Sequence, residues 1–305
     1  MEVAELDEAL KVLDSSLSLI KWRLKSQSKR RLEIDIQALC TGMRPVVMID
    51  YGGKMPELQE RLCALIKLIQ KQSPIFEHLK VMVIEDMIYL IHVKGLSEYV
   101  RSSLSLEAPL LFVDLEHDPP KMITQAENSP VGMQLISIQK FFSTLFPQDG
   151  IKDDLLSCHR TESMGDATSS THELVTSQSS EFIDLSSCMH DTLVTVPTLN
   201  GWLLGYPVVY LFSTEHIADA IYNLSTKSLR IFKILVCRNA AHSKGSQLEE
   251  LLSFSVPYDL SMGGSKEQWA EAFLAHMQEK WERCRPAWSS LQMEVSECYP
   301  QAIVL

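Results

Sequence analysis

Acidic side chains stand at the predicted ends of three apolar strands, and they are the residues of this sequence best suited to chemistry. These acids are Asp50, the pair Glu85-Asp86, and the group Asp114, Glu116 and Asp118. In an extended segment the last three side chains point to one face, where carboxylate oxygens converge on a hard cation. With Asp50 on a neighbouring strand, the set would hold Mg²⁺ for a metal-dependent hydrolase or phosphotransferase.

The same acids also have a purely structural interpretation. Acids and glycines often cap helices and form turns where strands end, and Gly52-Gly53 suits a turn as well as a cradle of N–H groups for an oxyanion. The sequence contains no P-loop, G-x-S-x-G, H-E-x-x-H or G-x-G-x-x-G pattern. The structural interpretation is therefore favoured: enzymatic activity stays uncertain, no catalytic residue is assigned, and Mg²⁺ is expected as a cofactor only on the alternative hypothesis.

Histidine and cysteine carry a weaker signal. The seven cysteines include no C-x-x-C pair, and their apolar surroundings are typical of reduced, buried thiols. Cys158-His159 and Cys188-Met-His190 place thiols near imidazoles, but these spacings do not match zinc-binding patterns. His92 ends an apolar strand, which indicates a hydrogen-bonded core histidine rather than a general base.

A basic run at residues 21–31 contains six lysines and arginines. Such a run can be a nuclear-import signal or a phosphate-contacting patch. A solvated junction between helices is the favoured interpretation, because the run lacks the interleaved aromatic residues of single-strand nucleic-acid binders. The formal net charge of −11 also argues against a nucleic-acid-binding function.

The segment 1–42 is predicted to form two helices. In the first, apolar residues recur with alternating steps of three and four, as in a coiled-coil seam: Val3, Leu6, Leu10, Leu13, Leu17, Ile20 and Leu24. The favoured interpretation is an amphipathic helix packed on its own domain. The alternative is a helix that binds an unknown protein partner.

Helices and strands then follow in mixed order. Their patterns predict strands at 44–53, 109–114, 229–237, 252–257, 291–295 and 302–305, and two strands within 81–93 that turn at Glu85-Asp86. Helices are predicted at 56–72, after Gly95, at 130–146, after Ser213-Thr214 and at 265–283, the last with a stripe of Trp269, Phe273, Met277 and Trp281.

The dipeptide Asn200-Gly201 lies between apolar, β-prone flanks that extend to Phe212. Asn-Gly supplies the two positive φ angles of a type I′ turn, so the sequence predicts a β-hairpin here. Gly205 and Pro207 in its second strand predict a bulge, and bulges often lie beside functional sites.

The segment 148–191 differs from the rest of the chain. It is rich in serine and threonine, and residues 149–191 hold nine acidic residues against two basic ones. It is predicted to be a flexible, disordered insertion, because it cannot bury enough apolar surface to offset chain entropy. The strands on its two sides are predicted to share one sheet.

Together these elements predict one α+β domain over residues 1–305, with a mixed β-sheet with hairpins, flanking helices, an N-terminal helical segment and the disordered insertion. The start of the chain lacks the basic region of a signal peptide, and no apolar run approaches the roughly 18 residues of a membrane span. The prediction is a soluble cytoplasmic protein, with nuclear import if the basic run directs it.

Three stretches resemble one known family: residues 46–52 (V-V-M-I-D-Y-G), 84–95 (I-E-D-M-I-Y-L-I-H-V-K-G) and 196–210 (V-P-T-L-N-G-W-L-L-G-Y-P-V-V-Y). It is the vertebrate family typified by the product of chromosome 1 open reading frame 74, and the likeness spans nearly the whole chain. The resemblance implies no activity, cofactor or catalytic residue. The function hypothesis is therefore a non-catalytic intracellular interaction protein, and the alternative is the metal-dependent enzyme.

Overall fold

The computed structural model describes residues 3–105, 110–148, 151, 182–239 and 247–303, which form an α+β fold with mixed sheets, as predicted. Its α-helices are α1 Val3–Leu19, α2 Ser26–Cys40, α3 Glu57–Gln72, α4 Val93–Leu104, α5 Pro130–Leu145, α6 Val196–Leu203, α7 Ile217–Ser225 and α8 Gln268–Arg283. Its strands are β1 Val46–Met48, β2 Leu79–Ile84, β3 Met87–His92, β4 Leu111–Asp114, β5 Lys121–Ile123, β6 Phe182–Asp184, β7 Val208–Leu211, β8 Leu229–Arg238, β9 Leu248–Pro257 and β10 Trp288–Cys298. In these ranges no helix is both long and apolar enough to cross a membrane.

The strands form three sheets, with the orders β1-β3-β2-β6, β5-β4-β7 and β10-β8-β9. The turn between β2 and β3 falls at Glu85-Asp86 as predicted, and Glu85 itself takes the left-handed conformation (φ 53°) that a glycine would usually supply. The parallel pair β4–β7 joins strands from the two sides of the predicted insertion, whereas β6, which pairs with β2, lies within its predicted range. The prediction of one shared sheet is wrong, because the described strands form three sheets.

The first sheet is buried on both faces. Val81 and Val83 of β2 pack with α1, α2 and α3, whereas Met82 and Ile84 pack with α4, α5 and α6. This follows from the period of two along a strand, which sends alternate side chains to opposite faces. The sheet therefore fixes the position of α2 relative to α6.

The third sheet packs against α8. Phe232 and Ile234 of β8 share a core cluster with Phe273 and Met277 of α8, and Trp269 and Trp281 pack against this cluster. The predicted stripe of α8 therefore faces the core.

The predicted strand at 291–295 forms the middle of β10. The predicted strand at 302–305 is wrong for residues 302–303, which are not in a strand, and the last two residues lie outside the described ranges.

The apolar seam of α1 is used inside the fold. Leu6, Leu13 and Leu17 are at most 5% exposed, and the helix packs mainly on α3. The helix ends at Leu19, so the seam stops short of Leu24. This is the amphipathic helix packed on its own domain that the sequence favours.

The predicted Asn200-Gly201 hairpin is wrong, because these residues lie within α6. Thr195 caps the helix by accepting a hydrogen bond from the Thr198 backbone N–H (3.4 Å), and Pro197 occupies its first turn, where proline suits the helix. The positive φ falls instead at Gly205 (76°), which ends the helix and leads into β7.

The predicted insertion is too long at its C-terminal end. Residues 182–184 form β6, and Leu185 and Met189 are buried in the core. Most of the remaining segment, 149–150 and 152–181, lies outside the described residues, so the prediction of disorder there stays a prediction.

Candidate functional site

A cleft of about 840 Å³ opens between α2, the segment after β1, the turn after α6 and the strand β9. This volume lies within the range of small-molecule sites, roughly 300–1,000 Å³. Most of its lining side chains are charged or carry a hydroxyl group, and the described lining residues include neither histidine nor cysteine. The cleft is therefore polar, and its charged lining residues are three arginines and three acids.

Asp35 anchors a buried polar cluster behind the cleft. It is 0% exposed, and helix α2 places Arg31 one turn before it, with Arg31 Nε donating to Asp35 Oδ2 at 3.1 Å. The Tyr51 hydroxyl donates to the same oxygen at 2.7 Å. Burial raises the pKa of Asp35, and the nearby Arg31 guanidinium and Tyr51 hydroxyl oppose that rise. Burial also raises the pKa of Tyr51, which keeps this hydroxyl a hydrogen-bond donor.

Arg44 is a second buried cation in the cleft wall. It is 5% exposed, and its Nη1 and Nη2 donate to the backbone carbonyls of Leu251 (3.1 Å) and Leu204 (3.5 Å). Its Nε is buried without a hydrogen-bond partner, and no carboxylate in the described ranges forms an ion pair with it. Burial lowers the pKa of Arg44, yet a guanidinium stays charged at neutral pH.

A β-bulge brings the two arginines together. In the pairing of β8 with β9, Ile234 faces Leu252 and Leu235 faces Glu250, so Leu251 is the extra residue. The Leu251 carbonyl accepts from Arg31 Nη2 (3.3 Å) and from Arg44 Nη1 (3.1 Å). A bulge turns one peptide group out of the ladder, and here that group holds two guanidinium groups side by side. The sequence predicted a bulge near Gly205, whereas this bulge lies in β9.

Two of the acids that line the cleft are paired with other cations. Glu249 forms ion pairs with Arg30 and Arg238, and Glu250 forms one with Lys233 at 3.1 Å. These acids therefore do not neutralise Arg44.

Two further groups face the same cleft. The Tyr206 hydroxyl neither donates nor accepts a hydrogen bond within the described part of the chain. Burial raises the pKa of Tyr206. At the other end, Ser26 and Ser28 belong to the first turn of α2, whose N-cap Lys25 provides no side-chain cap. The first backbone N–H groups of a helix carry partial positive charge, so this turn adds to the positive potential.

The sequence profile of a domain of unknown function, DUF4504, matches residues 14–305. The chain belongs to the DUF4504 family. Comparison with curated proteins and with solved structures returned no match. The matched range includes every residue of the cleft, so the cleft is a feature of the DUF4504 domain itself.

The predicted metal-binding acids Asp114 and Glu116 have separate partners in the DUF4504 domain. Asp114 Oδ1 accepts a hydrogen bond from the Glu116 backbone N–H (2.8 Å), and its Oδ2 lies 2.8 Å from His117 Nδ1. Glu116 Oε1 accepts from the Ser213 backbone N–H (2.8 Å). Both carboxylates thus make the turn and loop contacts that the structural interpretation expects.

The other two predicted ligands lie apart from each other. Asp118 forms an ion pair with Lys227 of the DUF4504 domain, whereas Asp50 is exposed at the arginine-lined cleft after β1. No group of three or more histidine, cysteine or acidic residues that would hold a metal ion occurs in the ranges that the structure describes. The Mg²⁺ hypothesis stays a prediction, without a ligand cluster to support it there.

His92 and Gly52 have structural roles in the DUF4504 domain. His92 Nδ1 accepts from the Gly95 backbone N–H (3.1 Å), so it caps α4, and burial lowers its pKa to about 4. Gly52 has a φ of 86°, and an added Cβ would lie 2.8 Å from Leu24 and 3.0 Å from Trp22. Gly52 therefore lets the backbone pack closely against Leu24 and Trp22, which is a structural role rather than the oxyanion-binding role that the sequence suggested.

Among the other predicted residues, Cys188 is a free thiol whose pKa burial raises to about 12, and His190 is exposed. The pair Cys158-His159 lies outside the described residues.

Sequence reasoning missed Arg44, Asp35 and Tyr206. The basic run 21–31 was recognised, but Arg30 and Arg31 are partly buried in the cleft wall rather than solvated. Arg44 did carry a signal, since it opens an apolar strand where a charged residue is unusual. Its partner carbonyls lie 160 and 207 residues away in sequence, which no local pattern reveals.

Proposed function

We propose that this chain is a non-catalytic intracellular binding protein and that the arginine-lined cleft is its recognition site. The observation that carries the proposal is the buried polar cluster at the cleft, with Asp35 0% exposed and Arg44 5% exposed. Burying charged groups costs free energy, and perturbed ionisable groups in a cleft are enriched at functional sites.

The chemistry of the lining favours binding over catalysis. Histidine and cysteine, the most frequent general base and thiol nucleophile, are absent from the described lining residues. The Tyr51 hydroxyl is engaged with Asp35, and arginine keeps its proton at neutral pH. Tyr51 and the arginines therefore hold a ligand in place and move no proton, and the acids Glu249 and Glu250 are engaged in ion pairs.

The seam of α1 is not part of the proposed recognition site, because its leucines are buried within the fold. We place the protein inside the cell because the cysteines within the described ranges are free thiols, which suits a reducing compartment.

Within the DUF4504 family, we place it with the vertebrate group typified by the product of chromosome 1 open reading frame 74. Residues 46–52, which carry that likeness, include Asp50 and Tyr51 of the cleft.

The test is a thermal-shift screen of the full chain against metabolites and short peptides, repeated with two matched variants. Gln27→Trp places an indole in the cleft, whereas Gln278→Trp makes the same change at an exposed position of α8. We expect ligands that raise the melting temperature of the wild type and of Gln278→Trp, but not of Gln27→Trp. Ligands that stabilise all three equally would contradict the proposed site.

A further inference from the structure

We propose that the cleft binds a phosphate group, held by Arg44 and the Tyr206 hydroxyl where the turn after α6 approaches the bulge of β9. The inference deepens the proposed function, since it names the ligand class of the same cleft.

The charge of the buried cluster is the first argument. Arg31 and Arg44 both donate to the Leu251 carbonyl, so two guanidinium groups lie next to each other. Among the described ion pairs, Asp35 takes part only in the one with Arg31, although its charge also favours the charged form of Arg44. Arg44 therefore has no carboxylate in direct contact in the described structure, and an anionic ligand would give it an ion-pair partner.

Unused donors are the second argument. A guanidinium offers five N–H groups, and those of Arg44 meet only two backbone carbonyls, one at the long distance of 3.5 Å. Its Nε is buried and unpartnered. The Tyr206 hydroxyl is also free among the described residues. Arg44 and Tyr206 both line the cleft, and arginine binds the oxygens of a phosphate through parallel N–H···O bonds.

The surroundings select a compact anion rather than a polyanion. The exposed Asp50 and the acids Glu249 and Glu250 lie along the cleft, and the whole chain has a formal charge of −11. These charges repel nucleic acid. A single phosphate needs only the contacts near Arg44, and the uncapped first turn of α2 would favour it further.

A purely structural role is the competing explanation. The arginines cover the open edge of β9, and covered edges resist pairing with other chains. Arg44→Met separates the two explanations. Methionine fills a similar volume without charge. If Arg44 serves binding, the apo form of this variant stays folded and only phosphate binding is lost.

The experiment is a titration of the full chain with inorganic phosphate in phosphate-free buffer, followed by calorimetry and by the melting temperature. We expect phosphate to bind the wild type, and Arg44→Met to weaken the affinity by about tenfold or more. Arg230→Met is the matched control, because Arg230 also has a buried, unpartnered Nε but does not line the cleft. It should keep the wild-type affinity. Tyr206→Phe removes one hydroxyl and should weaken binding severalfold, which keeps the test decisive if Arg44→Met fails to fold.

A phosphoserine peptide and its unphosphorylated twin distinguish the source of the phosphate. Tighter binding of the phosphopeptide than of inorganic phosphate would assign a protein partner, and equal binding would assign a small phosphate ligand. Absence of phosphate binding by the wild type, or unchanged binding by Arg44→Met and Tyr206→Phe, overturns the inference. An Arg44-dependent ligand without phosphate would overturn it too, while leaving the proposed binding function intact.

Discussion

At the scale of single residues, Asp35 is the group on which the buried polar cluster depends. It receives hydrogen bonds from Arg31 and Tyr51 and is fully buried. We expect Asp35→Asn to lower the free energy of unfolding by about 3–5 kcal/mol, because it leaves buried guanidinium charge unpaired. Urea denaturation followed by circular dichroism measures this change.

Glu282→Gln is the control for that prediction. Glu282 pairs with Arg285 on the surface, and their side chains are 52% and 60% exposed. The loss should be below about 1 kcal/mol, as for other exposed ion pairs. Equal effects of the two substitutions would show that burial does not govern the Asp35 interaction.

His92 should make stability depend on pH. Its pKa of about 4 in the folded protein lies below the value of about 6.5 in an unfolded chain, so the unfolded chain binds more protons between these values. The stability that neutral His92 contributes is therefore complete above about pH 6.5 and is lost as the pH falls towards 4.

The measurement for His92 is the free energy of unfolding at several pH values for the wild type and His92→Asn. Asparagine can still cap α4 but does not titrate. In His92→Asn, the slope of the free energy of unfolding against pH should therefore decrease between pH 4 and 6.5, by less than about 1.4 kcal/mol per pH unit. An unchanged slope in His92→Asn would contradict the role of His92.

The acids after β4 decide the metal hypothesis. Because Asp114 and Glu116 accept hydrogen bonds from separate backbone groups, we expect Asp114→Asn and Glu116→Gln to cost no more than about 1 kcal/mol each. We also expect no Mg²⁺-dependent shift of the wild-type melting temperature. A reproducible shift of several degrees that Asp114→Asn abolishes would favour the metal-dependent enzyme.

At the scale of elements, α6 shows how a strong local signal fails. Asn200-Gly201 fits a type I′ turn, but Thr195 at the N-cap, Pro197 in the first turn and buried residues at 199, 202 and 203 define a helix. The spacing of three and four was present in the sequence. Burial against β7 decided the outcome, because tertiary packing overrides the preference of a dipeptide.

Most other elements could be predicted because each one carries its own period and its own boundary residues. The turn at Glu85-Asp86, the helix from 57 to 72 and the stripe on α8 are such cases. The cleft could not be predicted in this way. It requires α2, β1, α6 and the β9 bulge to meet, and of its lining residues the local sequence patterns point only to Asp50, Arg30 and Arg31 as functional candidates.

Gly201 tests the packing of α6 on β7. A Cβ at this position would lie 3.1 Å from Val209 Cγ1 and 3.3 Å from Val209 Cα. We expect Gly201→Val to destabilise the protein by about 1–3 kcal/mol through overpacking, as measured by denaturant unfolding. Combining Gly201→Ala with Val209→Ala should cost less than the sum of the single changes, because both act on one contact.

Gly205→Ala provides the contrast to Gly201. A Cβ added at Gly205 would meet nothing within 4 Å, but the φ of this residue is 76°, so the cost of about 1–2 kcal/mol should come from the backbone alone. Adding Val209→Ala should not reduce this loss of stability. If Val209→Ala reduced the loss in both the Gly201 and the Gly205 variants, the packing explanation would be contradicted.

At the scale of the whole molecule, the boundary of the insertion has a measurable consequence. Deleting residues 150–190 removes β6 together with Ile183, Leu185 and Met189, which are at most 9% exposed. We expect this deletion to destabilise the protein by several kcal/mol, since each lost core side chain is worth about 2–5. On the sequence-based prediction that 155–178 belong to a flexible insertion, deleting only these residues should cost little, because loop length changes closure entropy slowly.

Thermal unfolding of both deletion variants, followed by circular dichroism, compares the two. Equal melting temperatures would show that β6 contributes nothing to the first sheet. The same experiment addresses the single-domain organisation, which stays a prediction: β4 and β7, from the two sides of the insertion, share a sheet, so the wild type should unfold in one cooperative step.

The distance along the chain between the cleft residues also sets a time order in the cell. Arg44 and the carbonyl of Leu251 are 207 residues apart, and a ribosome adds residues at about 5–20 per second, so roughly 10–40 s separate their synthesis. Throughout that interval the two arginines exist without the bulge that holds them. A nascent chain that ends before Leu251 therefore lacks the proposed recognition site, which exists only once β9 has been synthesised.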